Sequence, residues 1–191
     1  MPFTPLHMGP ALVLKSAASA SFSLTVFGWS QIVMDIQPLV VMLTDSGELH
    51  GWSHTILGAT LLGLLSAITG KYLSESGLFI IRWQRFLPIK WKTAYLSSFL
   101  GTYSHVFIDA IMHVDVLPFS PLFDGNPFHG MVSIAVLQQI FIASAVIGGI
   151  LCVARDSKSK KHNKALKRDL ARVAFSICGK FSGYGVMRSL L

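Results

Sequence analysis

Charge is scarce in this chain. Only 13% of its 191 residues are Asp, Glu, Lys or Arg, against about a quarter in ordinary soluble domains. With 52% hydrophobic residues and a mean hydropathy of +0.57, that shortage excludes an ordinary soluble domain. Cysteine is scarcer still. The two present, Cys152 and Cys178, sit at the end of the most apolar stretch and in the basic region after it. They form no CxxC pair and need no pairing, so a reducing compartment would leave both as thiols. There is no GxSxG elbow, no phosphate-binding glycine loop and no HExxH, which leaves serine nucleophile chemistry and nucleotide hydrolysis without support. No charged segment precedes the short apolar run at residues 11–14, and Lys15 ends it. A secretory signal is therefore not expected.

The charge that is present is unevenly placed. Residues 155–191 carry ten basic and two acidic groups, while residues 1–154 carry six basic and seven acidic ones. The formal net charge of +7 thus belongs to a tail behind a near-neutral apolar body. A basic run can mean nucleic acid, but one that follows an apolar stretch reads better as a juxtamembrane segment leaning on anionic lipid. Membrane lipid is the expected partner, and nucleic acid is not. Within the tail Leu170, Val173, Ala174 and Ile177 share a helical face, as in a helix lying on a membrane surface.

The body reads as an all-α integral membrane bundle with about four membrane helices, at residues 22–43, 51–72, 93–113 and 131–154. The last has 24 residues without a charge, enough to cross a hydrocarbon layer of about 30 Å. Pro38 is expected to break or kink the first helix, because it lacks an amide donor and its ring clashes with the preceding turn. Gly58 and Gly63 in the second would permit close helix contact. Gln138 and Gln139 in the fourth are expected to face other helices. Residues 2–10 read as a short extended or turn-rich lead with prolines at 2, 5 and 10, and residues 78–86 as an interfacial segment anchored by Trp91 and Lys92 beyond it. The domain division is thus a membrane-embedded unit at 1–154 and a basic tail at 155–191. The positive-inside rule puts Arg82, Arg85, Lys90, Lys92 and the tail in the cytoplasm of a multi-pass protein of the inner (plasma) membrane.

Most of the remaining polar residues then fall toward the other face. His105, Asp109 and His113 are spaced four apart, so they form one stripe on the third helix, with Asp115 just beyond. In an apolar helix such groups must face a partner or a watery cavity. His50 and His54 are also four apart, the spacing by which one turn presents two metal ligands. Asp35 is an acid deep in the first apolar helix, and His7 stands in the lead segment. Imidazoles and carboxylates at these spacings suit a divalent metal, Zn²⁺ or Mn²⁺, either as ligands or as the groups that orient them. Asp45, Glu48 and Asp124 are expected in solvated loops. His129 and His162 are read as loop and tail residues.

These residues resemble a family pattern: an early histidine, an Asp-x-acid followed by proline, a histidine pair before Ser or Thr, and Ser-His-x-x-x-Asp before a proline-containing loop. Here they stand as His7, Asp35-Ile36-Gln37-Pro38, His50 to His54-Thr55, and Ser104-His105 to Asp109 with Pro118 and Pro121. Over residues 1–154 the chain resembles the YdjM-like family of inner-membrane-associated metal-dependent hydrolases. It departs at Gln37, where the family tends to have a second acid, and in a tighter His50–His54 spacing. The resemblance implies a helical membrane metal site with hydrolysis as its activity. A fainter likeness to helical zinc-dependent phospholipase C sites would imply phosphodiesters.

The expectation is a membrane metallohydrolase acting through metal-activated water on a lipid-linked or amphiphilic ester or phosphoester, its substrate a lipid or small molecule. His7, Asp35, His54, His105 and Asp109 are the candidate ligands. His50, His113 and Asp115 are candidates for the general base or for orienting groups. The alternative is a non-catalytic metal-ion carrier or sensor using the same residues, or helices merely hydrogen-bonded through them.

Overall fold

The computed structural model describes residues 8–158, which contain helices and loops and no strand. Five helices follow in order: α1 (Gly9–Ala18), α2 (Leu24–Thr44), α3 (Ile56–Ile80), α4 (Trp91–Met112) and α5 (Ile134–Lys158). Residues 1–150 form one compact unit and residues 151–191 a second, of which only 151–158 are described. The surface helix expected at 166–177 lies outside the described residues.

Three helices, α2, α3 and α5, are long and apolar enough to cross a membrane. α4, the remaining span expected from the sequence, has 22 residues, a sufficient length, but is more polar. Its polar groups turn inward: Ser97, Ser98, Thr102, His105 and Asp109 are all buried. Lipid would meet its other face, where Leu96, Leu100 and Phe107 are exposed.

That arrangement recurs across the bundle. α2, α3 and α4 pack mutually, with small and hydroxylated residues between them and large aliphatic ones outside. Ser98 Oγ donates to the Gly63 carbonyl (2.7 Å), and the Ser23 amide donates to Ser97 Oγ (2.8 Å). Gly101 of α4 lies against Ser30 of α2 so closely that a Cβ there would overlap Ser30 Oγ. Outside, Leu39, Leu43, Leu61, Leu65 and Ile80 are exposed. In a bilayer, hydrocarbon solvates that exterior, and association comes from close packing and interhelical hydrogen bonds.

Several expected boundaries move. α2 runs through Pro38 without ending. Pro38 removes one backbone hydrogen bond, yet the residue is itself buried in the bundle, where neighbouring helices hold the segment. α3 begins at Ile56 rather than near residue 51. Thr55, in an extended conformation, caps it by accepting from the Gly58 amide (2.9 Å). The preceding Trp52–His54 is a separate 3₁₀ turn. Gly63 packs against Phe99 and Thr102 of α4, as close helix contact requires, whereas Gly58 packs under the Trp52 carbonyl of the 3₁₀ turn. In α5, Gln138 is half-buried but Gln139 is exposed, on the face opposite Leu137 and Phe141. Residues 9–18, which read as lead and broken apolar run, form α1. It seats on α5: a Cβ at Gly9 would strike the Phe141 carbonyl, and one at Gly148 would lie 2.5 Å from the backbone at Leu12 and Val13.

Candidate metal centre

The C-terminal half of α2, the start of α3 and the end of α4 meet at one end of the bundle, and most of the unusual polar residues collect there. On α4, His105 and Asp109 lie one turn apart on the buried face. From that position His105 Nε2 stands 3.2 Å from Asp109 Oδ2 and 3.3 Å from Asp35 Oδ1 of α2. The 3₁₀ turn before α3 brings in His54, whose Nε2 is 3.2 Å from the same Asp109 Oδ2. Both imidazoles are fully buried.

Each ring is held from behind. His105 Nδ1 is 2.7 Å from Gln31 Oε1. The amide is oriented by its other end, since Gln31 Nε2 donates to the Gly101 carbonyl (2.9 Å). Nδ1 must therefore be the donor, and in neutral His105 Nε2 carries the lone pair that faces Asp35 and Asp109. His54 Nδ1 is 2.9 Å from Ser53 Oγ. This is how metal-ligating histidines are commonly fixed, with the remote nitrogen bonded to an oxygen. Burial pushes His54 below its ordinary pKa, against the pull of Asp109, which favours the neutral form that can ligate.

Gln37, where the resemblance calls for a second acid, does not join this group. Its Oε1 accepts from the Ser53 amide (3.0 Å) and its Nε2 donates to the Glu48 carbonyl (3.3 Å). It clamps the loop that carries His50 and His54, a task for which an amide, donor and acceptor at once, is better suited than a carboxylate.

A second set flanks the first. His50 Nδ1 is 2.8 Å from Asp115 Oδ2, and the His50 and His113 rings stack with centroids 4.5 Å apart. The His50 ring is 5.0 Å from that of His54, which is 5.2 Å from His105. Four imidazoles therefore stand in a row from the exposed loop to the interior. The Asp115 side chain is 52% exposed and that of His50 only 5%, so this set forms the open side. Partial burial works against ionisation of Asp115, but the His50 hydrogen bond and charge outweigh it and hold the carboxyl below its usual range. Asn126 secures the loop from the end of α4 by donating to the carbonyls of Ala110 and His113, both at 2.8 Å.

The geometry fits a cation. His54 Nε2 is buried without a hydrogen-bond partner, although a carboxylate oxygen is close by. Ligands about 2.0–2.1 Å from a tetrahedral ion stand about 3.3–3.4 Å from one another, close to the three spacings of 3.2–3.3 Å that link Asp35 to His105, His105 to Asp109 and Asp109 to His54. Donors of this kind suit imidazole- and carboxylate-binding divalent metals.

Of the residues singled out by sequence, Asp35, His54, His105 and Asp109 come together, and His50, His113 and Asp115 assemble beside them. His7 lies outside the described residues. Asp45, Glu48, Asp124 and His129 are exposed, as expected of loop residues. Gln31, Ser53 and Asn126 were missed. Gln31 alone had a legible signal, its four-residue spacing from Asp35 on one face of α2. Compared with known proteins, the chain matches no family model, no curated protein and no solved structure.

Proposed function

We propose that the protein is a membrane-bound metal-dependent hydrolase of lipid-linked or amphiphilic esters or phosphoesters. The observation that carries this reading is the convergence of Asp35, His54, His105 and Asp109 at 3.2–3.3 Å contacts. They are backed by Gln31 and Ser53, and the neighbouring His50, His113 and Asp115 form the side open to solvent. A divalent cation in such a place, Zn²⁺ or Mn²⁺, lowers the pKa of water toward ~7 and polarises a carbonyl or phosphoryl oxygen. Asp35 and Asp109 supply the negative charge that holds it, His54 and His105 supply imidazole nitrogen, and the buried helices exclude competing water. Substrate would enter past Asp115, on the exposed side.

The placement in the membrane belongs to the same proposal. Arg82, Arg85 and Lys90 lie between α3 and α4, and Lys92 in the first turn of α4, at the end of the bundle opposite the donors, so the positive-inside rule sets that end and the basic tail in the cytoplasm. In the inner (plasma) membrane the centre would then face outward, within reach of lipid headgroups. A non-catalytic carrier or sensor is the alternative. Turnover of a substrate is what would separate it from the hydrolase.

The test uses full-length protein in detergent. Metal analysis is expected to find stoichiometric Zn²⁺ or Mn²⁺. Chelation should abolish turnover of a panel of amphiphilic esters and phosphodiesters, and re-addition of metal should restore it. Bound metal without turnover across the panel would favour the carrier or sensor. Well-folded protein with no metal, and no thermal stabilisation by either ion, would refute the reading.

A further inference from the structure

The donors outnumber what one tetrahedral ion can take. Four ligands complete such a shell, whereas seven side chains gather here: Asp35, His50, His54, His105, Asp109, His113 and Asp115. Their grouping is informative. Asp35, His54 and His105 can each place a ligand atom within 4.8 Å of the others, and so can His50, His113 and Asp115. These two triads share no residue. A third triad, His50, His54 and Asp109, meets the same limit and lies across the junction.

We propose that His50, His113 and Asp115 hold a second divalent cation beside the one at Asp35, His54 and His105, with Asp109 placed between the two. This rests on the reading of the inner group as a metal site, and it replaces the base or orienting role that sequence suggested for the outer three residues. Charge supports it. Three carboxylates stand in this cluster, and the lysines and arginines within residues 1–150 belong to other parts of the chain: Lys15 bonds the Phe22 carbonyl, Lys71 pairs with Glu75, and the rest lie at positions 82–92. One dication leaves the cluster negative. Two leave one net positive charge, which suits an anionic group on the substrate. Paired cations also clamp both the attacking and the leaving oxygen of an in-line displacement, so a phosphoester is favoured over a neutral carboxylic ester.

Geometry distinguishes the outer site from the inner one. His50 and His113 come from different loops but present stacked rings on the same side, and Asp115 is two residues from His113. With Asp115 half exposed, the outer cation should exchange faster than the buried one.

The experiment is Mn²⁺ and Zn²⁺ stoichiometry by elemental analysis of full-length protein in detergent, with electron paramagnetic resonance of the Mn²⁺ form. The wild type is expected to bind two equivalents and to show an exchange-coupled Mn²⁺ signal. Asp115→Asn, an isosteric change at an exposed residue, and His113→Ala should each reduce binding to one equivalent. The affinity of the remaining ion should change less than about threefold, and its spectrum should be that of isolated Mn²⁺. Wild type saturating at one equivalent would overturn the second site while leaving the hydrolase reading intact. So would Asp115→Asn and His113→Ala retaining two equivalents, which would return these residues to a role in proton transfer or orientation. Two equivalents with no hydrolysis of any ester tested would support the paired site and remove the hydrolase. Absence of metal would overturn both.

Discussion

Replacing Gln31 by methionine removes a side chain that touches no proposed cation, yet it should weaken metal binding measurably. The amide accepts from His105 Nδ1 at 2.7 Å and donates to the Gly101 carbonyl at 2.9 Å, so it fixes both the tautomer and the ring plane of His105. Loss of such a supporting partner typically costs 10–100-fold in metal affinity, about 1.4–2.7 kcal/mol. Folding should suffer separately. The Gly101 carbonyl keeps the Ser104 hydroxyl at 3.0 Å, but the buried His105 Nδ1 loses its bond to Gln31, at about 1–3 kcal/mol. Gln31→Glu keeps an acceptor opposite Nδ1 and should restore affinity to within a few-fold, even though the bond to Gly101 is lost. The assay is competition with a chromophoric chelator on detergent-purified protein, alongside thermal unfolding of the metal-free form. If the methionine variant binds metal as tightly as the parent, or the glutamate variant falls as far as the methionine one, the orienting role is wrong.

Three further expectations follow from the same contacts. His105→Ala and Asp109→Ala should each remove most of the inner metal, and the double variant should lose little more, because residues sharing one ion are non-additive; His129→Ala, at an exposed loop position, should leave metal content unchanged. Gly101→Ala should lower thermal stability by about 1–3 kcal/mol through overpacking against Ser30, and Ser30→Gly in the same chain should recover much of it. A topology reporter fused after Ala154 should read cytoplasmic and one inserted near Gly125 external, and the reverse pattern would turn the proposed orientation over.

The parts of the centre that could be read in advance are those governed by helix periodicity. His105 and Asp109 were legible as a unit because four residues make about one turn, and Asp35 because a carboxylate in an apolar helix needs a reason. The same rule misled at His50 and His54. Their spacing suggested one helical face, but Thr55 caps the helix after them, and His50 sits in a turn while a 3₁₀ turn aims His54. At Pro38 local chemistry argues for a break or a kink, and burial among neighbouring helices keeps the segment helical without a break. The supports at Ser53 and Asn126 were illegible, since hydroxyls and amides are common in loops and only the fold shows what they hold. The glycine contacts that seat α1 depend on residues more than a hundred positions away, beyond the reach of any local pattern.

That last contact has a consequence for the timing of assembly. Gly148, which lets α1 approach α5, is made more than 130 residues after Leu12, against which it packs. At about 5–20 residues per second the interval is on the order of ten seconds. Throughout it α2, α3 and α4 can insert and find one another, while the ten-residue α1, too short to cross a membrane by itself, has only the start of α2 to rest on, where Ala11 meets Phe22 and Phe27. Among the five described helices α1 is made before the rest, yet its packing is complete only once α5 has arrived.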